Sequence, residues 1–468
     1  MKLYLHNTLT RSTDEFIPIE PGKAKMYCCG PTVYNYQHIG NLRTYLFEDI
    51  LKRVLVYNGY EVTHVMNITD VGHLVSDEDE GEDKMELGAA REGKTVWQIA
   101  EYYTDIFKKD LERMNILAPD IYSKATDYIK EQIEMIQCLE KKGFTYITSD
   151  GVYYDTAKFP DYGAMARLDI KNLRAGERVE FSAEKRNPTD FSLWKFSPKD
   201  QQRAMEWESP WGKGFPGWHI ECSAMSVKFL GNHFDIHCGG IDHIPVHHTN
   251  EIAQAEACTG EKFVNYWLHG EFLNMGDEKM SKSKGEFLTI DVLNQKGYTA
   301  IHYRYFLLNA HYRTKLKFSF EGLDSAKSGY ENLKGKILRL KQAASDKTES
   351  SEKTSEVVRL FNEKINDDMN IPEALALLWM TLKNEKLSDN EKLFLVYEFD
   401  KVLGLGFKDL KEEKEELDVP PGIIELAEKR IEAKKSKDFK LADDLREQIK
   451  QAGYEIIDKK NEYEFKKL

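Results

Sequence analysis

Two short stretches carry residue types suited to triphosphate chemistry. His38-Ile39-Gly40-Asn41 stands where an apolar helical repeat begins, just behind a strand-like run. A helix start offers free N–H groups and the positive end of the dipole, which favours phosphate. Gly40 lets a flat ring approach the backbone, and His38 and Asn41 can donate hydrogen bonds to it. Taken alone, the tetrapeptide is equally compatible with a histidine that only caps its helix. Far downstream, Lys279-Met280-Ser281-Lys282-Ser283 places two lysines about a hydroxyl. That arrangement can neutralise charge developing on a leaving pyrophosphate, or form a plain basic loop.

A third set has metal-ligand chemistry. His247 and Glu251 are four apart and share a face if that stretch is helical. Cys222 and Cys29 are thiols distant in sequence. Thiolate, imidazole and carboxylate are all zinc ligands, but spacing alone does not select this quartet over a surface His–Glu pair. The six cysteines (28, 29, 138, 222, 238 and 258) are few and unevenly spaced. They read as reduced thiols rather than a disulfide framework.

These residues need a scaffold. Ala24–Cys29 reads as a buried strand, Asn41–Tyr57 as a helix with Leu42, Tyr45, Leu46, Ile50 and Val54 on one face, and Glu61–Ile68 as a second strand. This is a βαβ unit and implies a parallel sheet. Helices are expected over 95–115 and 126–142, a β-rich insertion over 150–215, and resumed strand–helix alternation to about 275. Residues 323–343 and 357–406 read as helical, with 344–356 a solvated loop and the acidic run 76–83 another.

The chain has 468 residues and a net charge of −13, which argues against a bulk nucleic-acid binder. Residues 429–468, however, hold 12 Lys/Arg against 9 Asp/Glu, so a polyanion-facing end is expected there. No run of 18 apolar residues suggests a membrane span, and the first residues do not read as a secretory leader. A cytoplasmic location is expected.

Met26-Tyr27-Cys28-Cys29-Gly30-Pro31-Thr32-Val33-Tyr34, Trp218-His219-Ile220-Glu221-Cys222-Ser223-Ala224-Met225 and His247-His248-Thr249-Asn250-Glu251-Ile252-Ala253-Gln254 resemble the cysteinyl-tRNA synthetase family. The two phosphate-type stretches resemble the HIGH and KMSKS signatures of class I aminoacyl-tRNA synthetases. The likeness runs through Lys185–Phe191, Asp367–Ala374 and Lys437–Arg446. It implies an α/β fold: a Rossmann-type parallel-sheet catalytic domain split by an inserted module, then an α-helical bundle and a small C-terminal α+β anticodon-binding domain. The implied boundaries are 1–125 and 213–275 for the catalytic halves, 126–212 for the insertion, 276–322 for a stem-contact region, 323–408 for the bundle and 420–468 for the last domain.

The resemblance also implies roles. Cys29, Cys222, His247 and Glu251 would hold one zinc, with Cys28 pointing to the other face of its strand. His38, Asn41, Lys279 and Lys282 would be catalytic. Gly239, Gly240 and Asp242 would join His38, Gly40, Asn41 and Lys282 around ATP, which enters with magnesium. Trp218 and Thr69 would border the substrate cysteine; His237 would contact it and face the adenylate. Arg430, Lys437, Phe439, Arg446 and Phe465 would meet tRNA(Cys), and a monomer is expected. Departures fall at Asn41, at Val71-Gly72-His73-Leu74, at Asp242–Val246 and at Glu462 and Phe465 in the tail. A cysteine ligase with an amino-sugar acceptor and a silent tRNA-binding paralogue are the alternatives. The intact C-terminal regions argue against the first, and the presence of both signatures and all four ligands against the second.

Overall fold

The structure is a computed structural model that describes residues 1–72, 83–168, 184–198, 203–274, 287–344, 350–411, 419–458 and 463–467. Two compact units divide it, 1–410 and 411–468.

The first unit opens with a hairpin, β1 (Tyr4–Asn7) and β2 (Ser12–Glu15). There follow β3 (Lys23–Cys28), α1 (Ile39–Tyr57), β4 (Glu61–Ile68), α2 (Lys84–Glu92), α3 (Val96–Arg113), β5 (Ile121–Lys124) and α4 (Ile129–Lys141). An antiparallel sheet comes next, built from β6 (Thr145–Ile147), β7 (Gly151–Tyr154), β8 (Phe191–Phe196) and β9 (Gly214–Pro216). The chain then returns through α5 (Trp218–Leu230), β10 (Phe234–Gly240), α6 (His247–Thr259) and β11 (Val264–Gly270).

β11, β10, β3, β4 and β5 lie side by side, all parallel. The chain runs outward from β3 to β5, then returns to the other side of β3 with β10. The β3/β10 boundary is therefore the switch point of the sheet, where a crevice opens beyond the strand ends and ligands of such sheets bind. Both faces of the sheet are covered, so its strands are nearly continuous apolar runs. Ala24, Met26 and Cys28 pack on one core, and Tyr27 and Cys29 on the other. The alternation follows from the two-residue period of a strand.

Beyond β12 (Leu273–Asn274) come α7 (Ile290–Gln295), α8 (Ala300–Leu308) and β13 (Leu316–Lys317). Four helices follow: α9 (Phe320–Ala343), α10 (Glu352–Ile365), α11 (Ile371–Lys383) and α12 (Asp389–Leu403). Each starts on a side-chain cap, from Ser319, Ser351, Asn370 and Ser388. The Ser351 cap explains one difference from the sequence reading. Helix α10 begins at Glu352, inside the stretch expected as loop, because a capping box outweighs its polar composition. Pro372 sits in the first turn of α11, where a missing N–H costs nothing.

A second difference concerns Cys138 and Cys258, which form a disulfide rather than staying as free thiols. They come from α4 and α6, which pack together although 120 residues separate the two cysteines.

The second unit holds α13 (Pro421–Lys435), α14 (Phe439–Gln451) and the hairpin β14 (Tyr454–Asp458) with β15 (Tyr463–Lys467). Its core is small: Ile423, Ala427, Ile449 and Ile456.

Candidate active site and metal centre

Helix α1 begins where the sequence placed it, and His38 is its cap. The Nδ1 atom accepts from the Gly40 N–H at 3.0 Å. Burial holds the ring below its usual pKa. A neutral ring whose Nδ1 accepts carries its proton on Nε2, leaving Nε2 as a donor.

A cleft of about 300 Å³ opens at the switch point. Its lining includes Cys29, Asn41, Trp218, Gly240 and Asp242. Two glycines are required around it. A Cβ at Gly30 would lie 1.8 Å from the Asn67 carbonyl oxygen, and one at Gly239 2.6 Å from His243 Nδ1 and 2.7 Å from the His248 ring. The phosphate-type residues Lys279 and Lys282 lie outside the described residues.

Beneath the cleft, Cys29, Cys222, His247 and Glu251 offer ligand atoms that all lie within 4.8 Å of one another, every residue buried. Cys29 follows β3, Cys222 sits one turn into α5, and His247 and Glu251 share one face of α6. His247 Nε2 is 3.1 Å from Glu251 Oε1. A second set, Cys29, His237, His248 and Glu251, meets the same criterion. There His248 Nε2 is 3.3 Å from Cys29 Sγ, and His237 Nε2 is 2.9 Å from Glu251 Oε2.

The two sets share one thiol and one carboxylate, so one buried pocket is walled by two thiols, three imidazoles and an acid. Burial opposes charge on Glu251, but His237 and His247 hold its pKa at about 2. Burial also opposes ionisation of Cys222, yet Cys29 and His247 bring that thiol below its usual value. Two thiols, imidazoles and an ionised carboxylate, enclosed together, are a donor set suited to a cation.

Outer partners fix the rings. His219 Nδ1 meets His247 Nδ1 at 2.8 Å. His248 Nδ1 meets His269 Nε2 at 2.8 Å, and His269 Nδ1 meets the Thr8 hydroxyl at 2.7 Å. Second-shell contacts of this type set tautomer and ring orientation in metal sites. Sequence reading missed them; only the run of histidines from 237 to 269 hints at such a network.

Other expected residues fall in different places. His237 is fully enclosed, stacked on Trp267 at 4.6 Å, with its Nε2 against Glu251. Thr69 is buried, its hydroxyl donating to Glu221 at 3.0 Å while accepting from Asn67 Nδ2 at 3.0 Å. Trp218 contacts the His247 ring at 4.6 Å and lines the cleft. In the second unit, Lys437, Phe439 and Arg446 are exposed, with Phe439 at 63%. Arg430 corrects the RNA-contact set: it is 2% exposed and spends both terminal nitrogens on Asp458, at 2.7 and 2.9 Å. Phe465 packs edge-on against Tyr463 and beside the small core instead of standing free.

Residues 15–328 match the family model for tRNA synthetases class I (C), catalytic domain. The chain belongs to this family. It is 47% identical to a cysteine–tRNA ligase of Treponema denticola, covering all of both chains. It is 49% identical to cysteine–tRNA ligase 1 of Burkholderia lata, covering 98% of this chain and 95% of that one. Among solved structures, Mycobacterium tuberculosis methionyl-tRNA synthetase in complex with methionyl-adenylate superposes with a TM-score of 0.57. That match spans 82% of this chain and 90% of the other at 15% identity, and so speaks for the fold alone. Among the described residues, no helix is long and apolar enough to cross a membrane.

Proposed function

We propose that the protein is a cysteine–tRNA ligase: it activates L-cysteine with ATP and transfers it to tRNA(Cys). One observation carries this reading. A buried pocket with two thiols, imidazole and carboxylate adjoins, through Cys29, a cleft that Asn41 and Thr44 of α1 also line.

Of the two overlapping sets, Cys29, Cys222, His247 and Glu251 fit zinc better, because two thiolates suit a soft cation and supply more charge. Their side of the pocket also adjoins Trp218, which lines the cleft. When bound there, zinc supplies a Lewis acid that prefers a thiolate to a hydroxyl. His237 and His248 then orient Glu251 and Cys29 from outside.

That preference answers a hard discrimination. Serine and cysteine differ by one atom, and pocket shape alone separates near-isosteres by about 1–3 kcal/mol. Trp218 closes the small pocket over the side chain. The carboxylate of the held substrate attacks the α-phosphorus of ATP; the bond to the bridging β-oxygen breaks, and pyrophosphate leaves with magnesium. His38 Nε2, the Asn41 amide and the free N–H groups of α1 receive the phosphates, and Lys279 and Lys282 add charge as the leaving group departs. Gly240 lets adenosine approach, and Asp242 accepts a ribose hydroxyl. A hydroxyl of the terminal tRNA ribose then takes the acyl group, and AMP leaves. No protein nucleophile is needed, since positioning and charge lower the barrier. Lys437 and Arg446 suit the RNA backbone, and Phe439 suits stacking on an unpaired base.

The test is pyrophosphate exchange with purified protein. Exchange that depends on cysteine and fails with serine is the expected result. Exchange driven equally by both amino acids would refute the reading.

A further inference from the structure

Among the described residues that line the cleft, Lys84 is a lysine to which none of the roles above is given. Its Nζ lies 5.6 Å from the centroid of the Trp218 ring. Lys84 is the first residue of α2, and its backbone is pinned. The Asp83 carboxylate caps the helix, accepting from the Met85 N–H at 2.7 Å and the Glu86 N–H at 3.1 Å. Asp83 is in turn ion-paired with buried Arg203, which donates to the Gly72 carbonyl at 2.9 Å and covers the Phe215 ring at 3.6 Å. Gly88, one turn further, presses on the Tyr34 carbonyl, which a Cβ would approach to 3.0 Å. Helix α2 is therefore docked on the cleft wall.

A lysine at the first position of a helix is opposed by the dipole, which favours anions there. The start of α2 and the lysine therefore present positive charge to the cleft together. With sulfur held at the metal pocket and Trp218 against His247, the carboxylate lies three bonds away along the same wall. It must then approach the α-phosphate, an anion meeting an anion. A cation beside both removes that repulsion.

We propose that Lys84 binds the carboxylate of substrate cysteine and presents it to the α-phosphate, so that recognition has two poles: sulfur at the metal pocket, carboxylate at Lys84. This rests on the proposed function, and the experiment separates the two. Zinc-loaded wild type, Lys84→Met and Lys84→Arg are titrated calorimetrically with L-cysteine and with cysteamine, which keeps the thiol and amine but lacks the carboxylate. Lys84→Met is expected to weaken L-cysteine at least tenfold and cysteamine less than twofold, with Lys84→Arg recovering most of the loss. The KM for cysteine in exchange should rise in parallel. Equal weakening of both ligands, or of neither, overturns the proposal while leaving the ligase reading intact. Wild type that binds no cysteine and shows no exchange overturns both.

Discussion

Cys28 and Cys29 are neighbours in the chain but lie on opposite faces of the central sheet. Cys28 faces α1, with Cys238 and Glu48 beside it. There, burial raises the Cys28 and Cys238 thiols and pushes the Glu48 carboxyl well above the usual range, so all three keep their protons. Cys29 faces α5 and α6, among His247, His248, Cys222 and Glu251. There, burial raises the Cys29 thiol as it raises Cys28, but imidazoles hold Glu251 at about 2, and Cys29 and His247 draw Cys222 down. Two carboxyls, both fully buried, shift in opposite directions because imidazoles face Glu251, whereas burial dominates at Glu48. Burial alone does not separate the two faces; the imidazoles beside Glu251 and Cys222 do.

The comparison is broken most severely by touching the ligand face. Cys222→Ser should abolish stoichiometric zinc and lower cysteine-dependent exchange by more than about a hundredfold, since outer-shell changes alone cost about 10–100-fold. Metal analysis and exchange assays check this. His248→Ala, which removes an outer partner of Cys29, should weaken zinc by about 10–100-fold in a chelator competition while leaving the fold intact.

Asp70 is an intermediate case. It is buried but accepts from the Thr126 N–H at 2.9 Å and hydroxyl at 2.7 Å. Burial raises its pKa from 3.8 to about 6 despite those bonds. The folded state therefore binds this proton more tightly than the unfolded one. Its stabilising contribution is full below about pH 4 and fades as pH rises through 6, amounting to about 2–3 kcal/mol. Asp70→Asn should flatten that part of the stability–pH curve in urea unfolding.

The mildest change is on the other face. Cys28→Ala should cost about 1–2 kcal/mol of stability by vacating a small packed volume, with zinc content and thiol selectivity unchanged.

The sequence disclosed the fold to an uneven degree. The βαβ unit was legible because strand and helix periods differ and Asn58-Gly59 marks the break. The proximity of Cys29, Cys222, His247 and Glu251 was not legible from spacing: Cys29 and Cys222 meet only because β10 returns beside β3, a tertiary fact. Family likeness had named these four as candidates. The same limit hid Lys84, which lies beyond an acidic stretch with no local signal, and the Cys138–Cys258 disulfide, made by two helices distant in the chain. Neither charge composition nor the resemblance, which together named Arg430 as an RNA contact, asks what the residue pairs with. Its partner Asp458 is 28 residues away, across a helix pair and a turn.

X-ray absorption at the zinc edge tests the central claim most directly. One zinc per chain is expected, with two sulfur neighbours in the free protein, three when L-cysteine is added and two when L-serine is added. A protein without zinc, or a sulfur count that stays the same on adding cysteine, would contradict recognition of the substrate through its thiol.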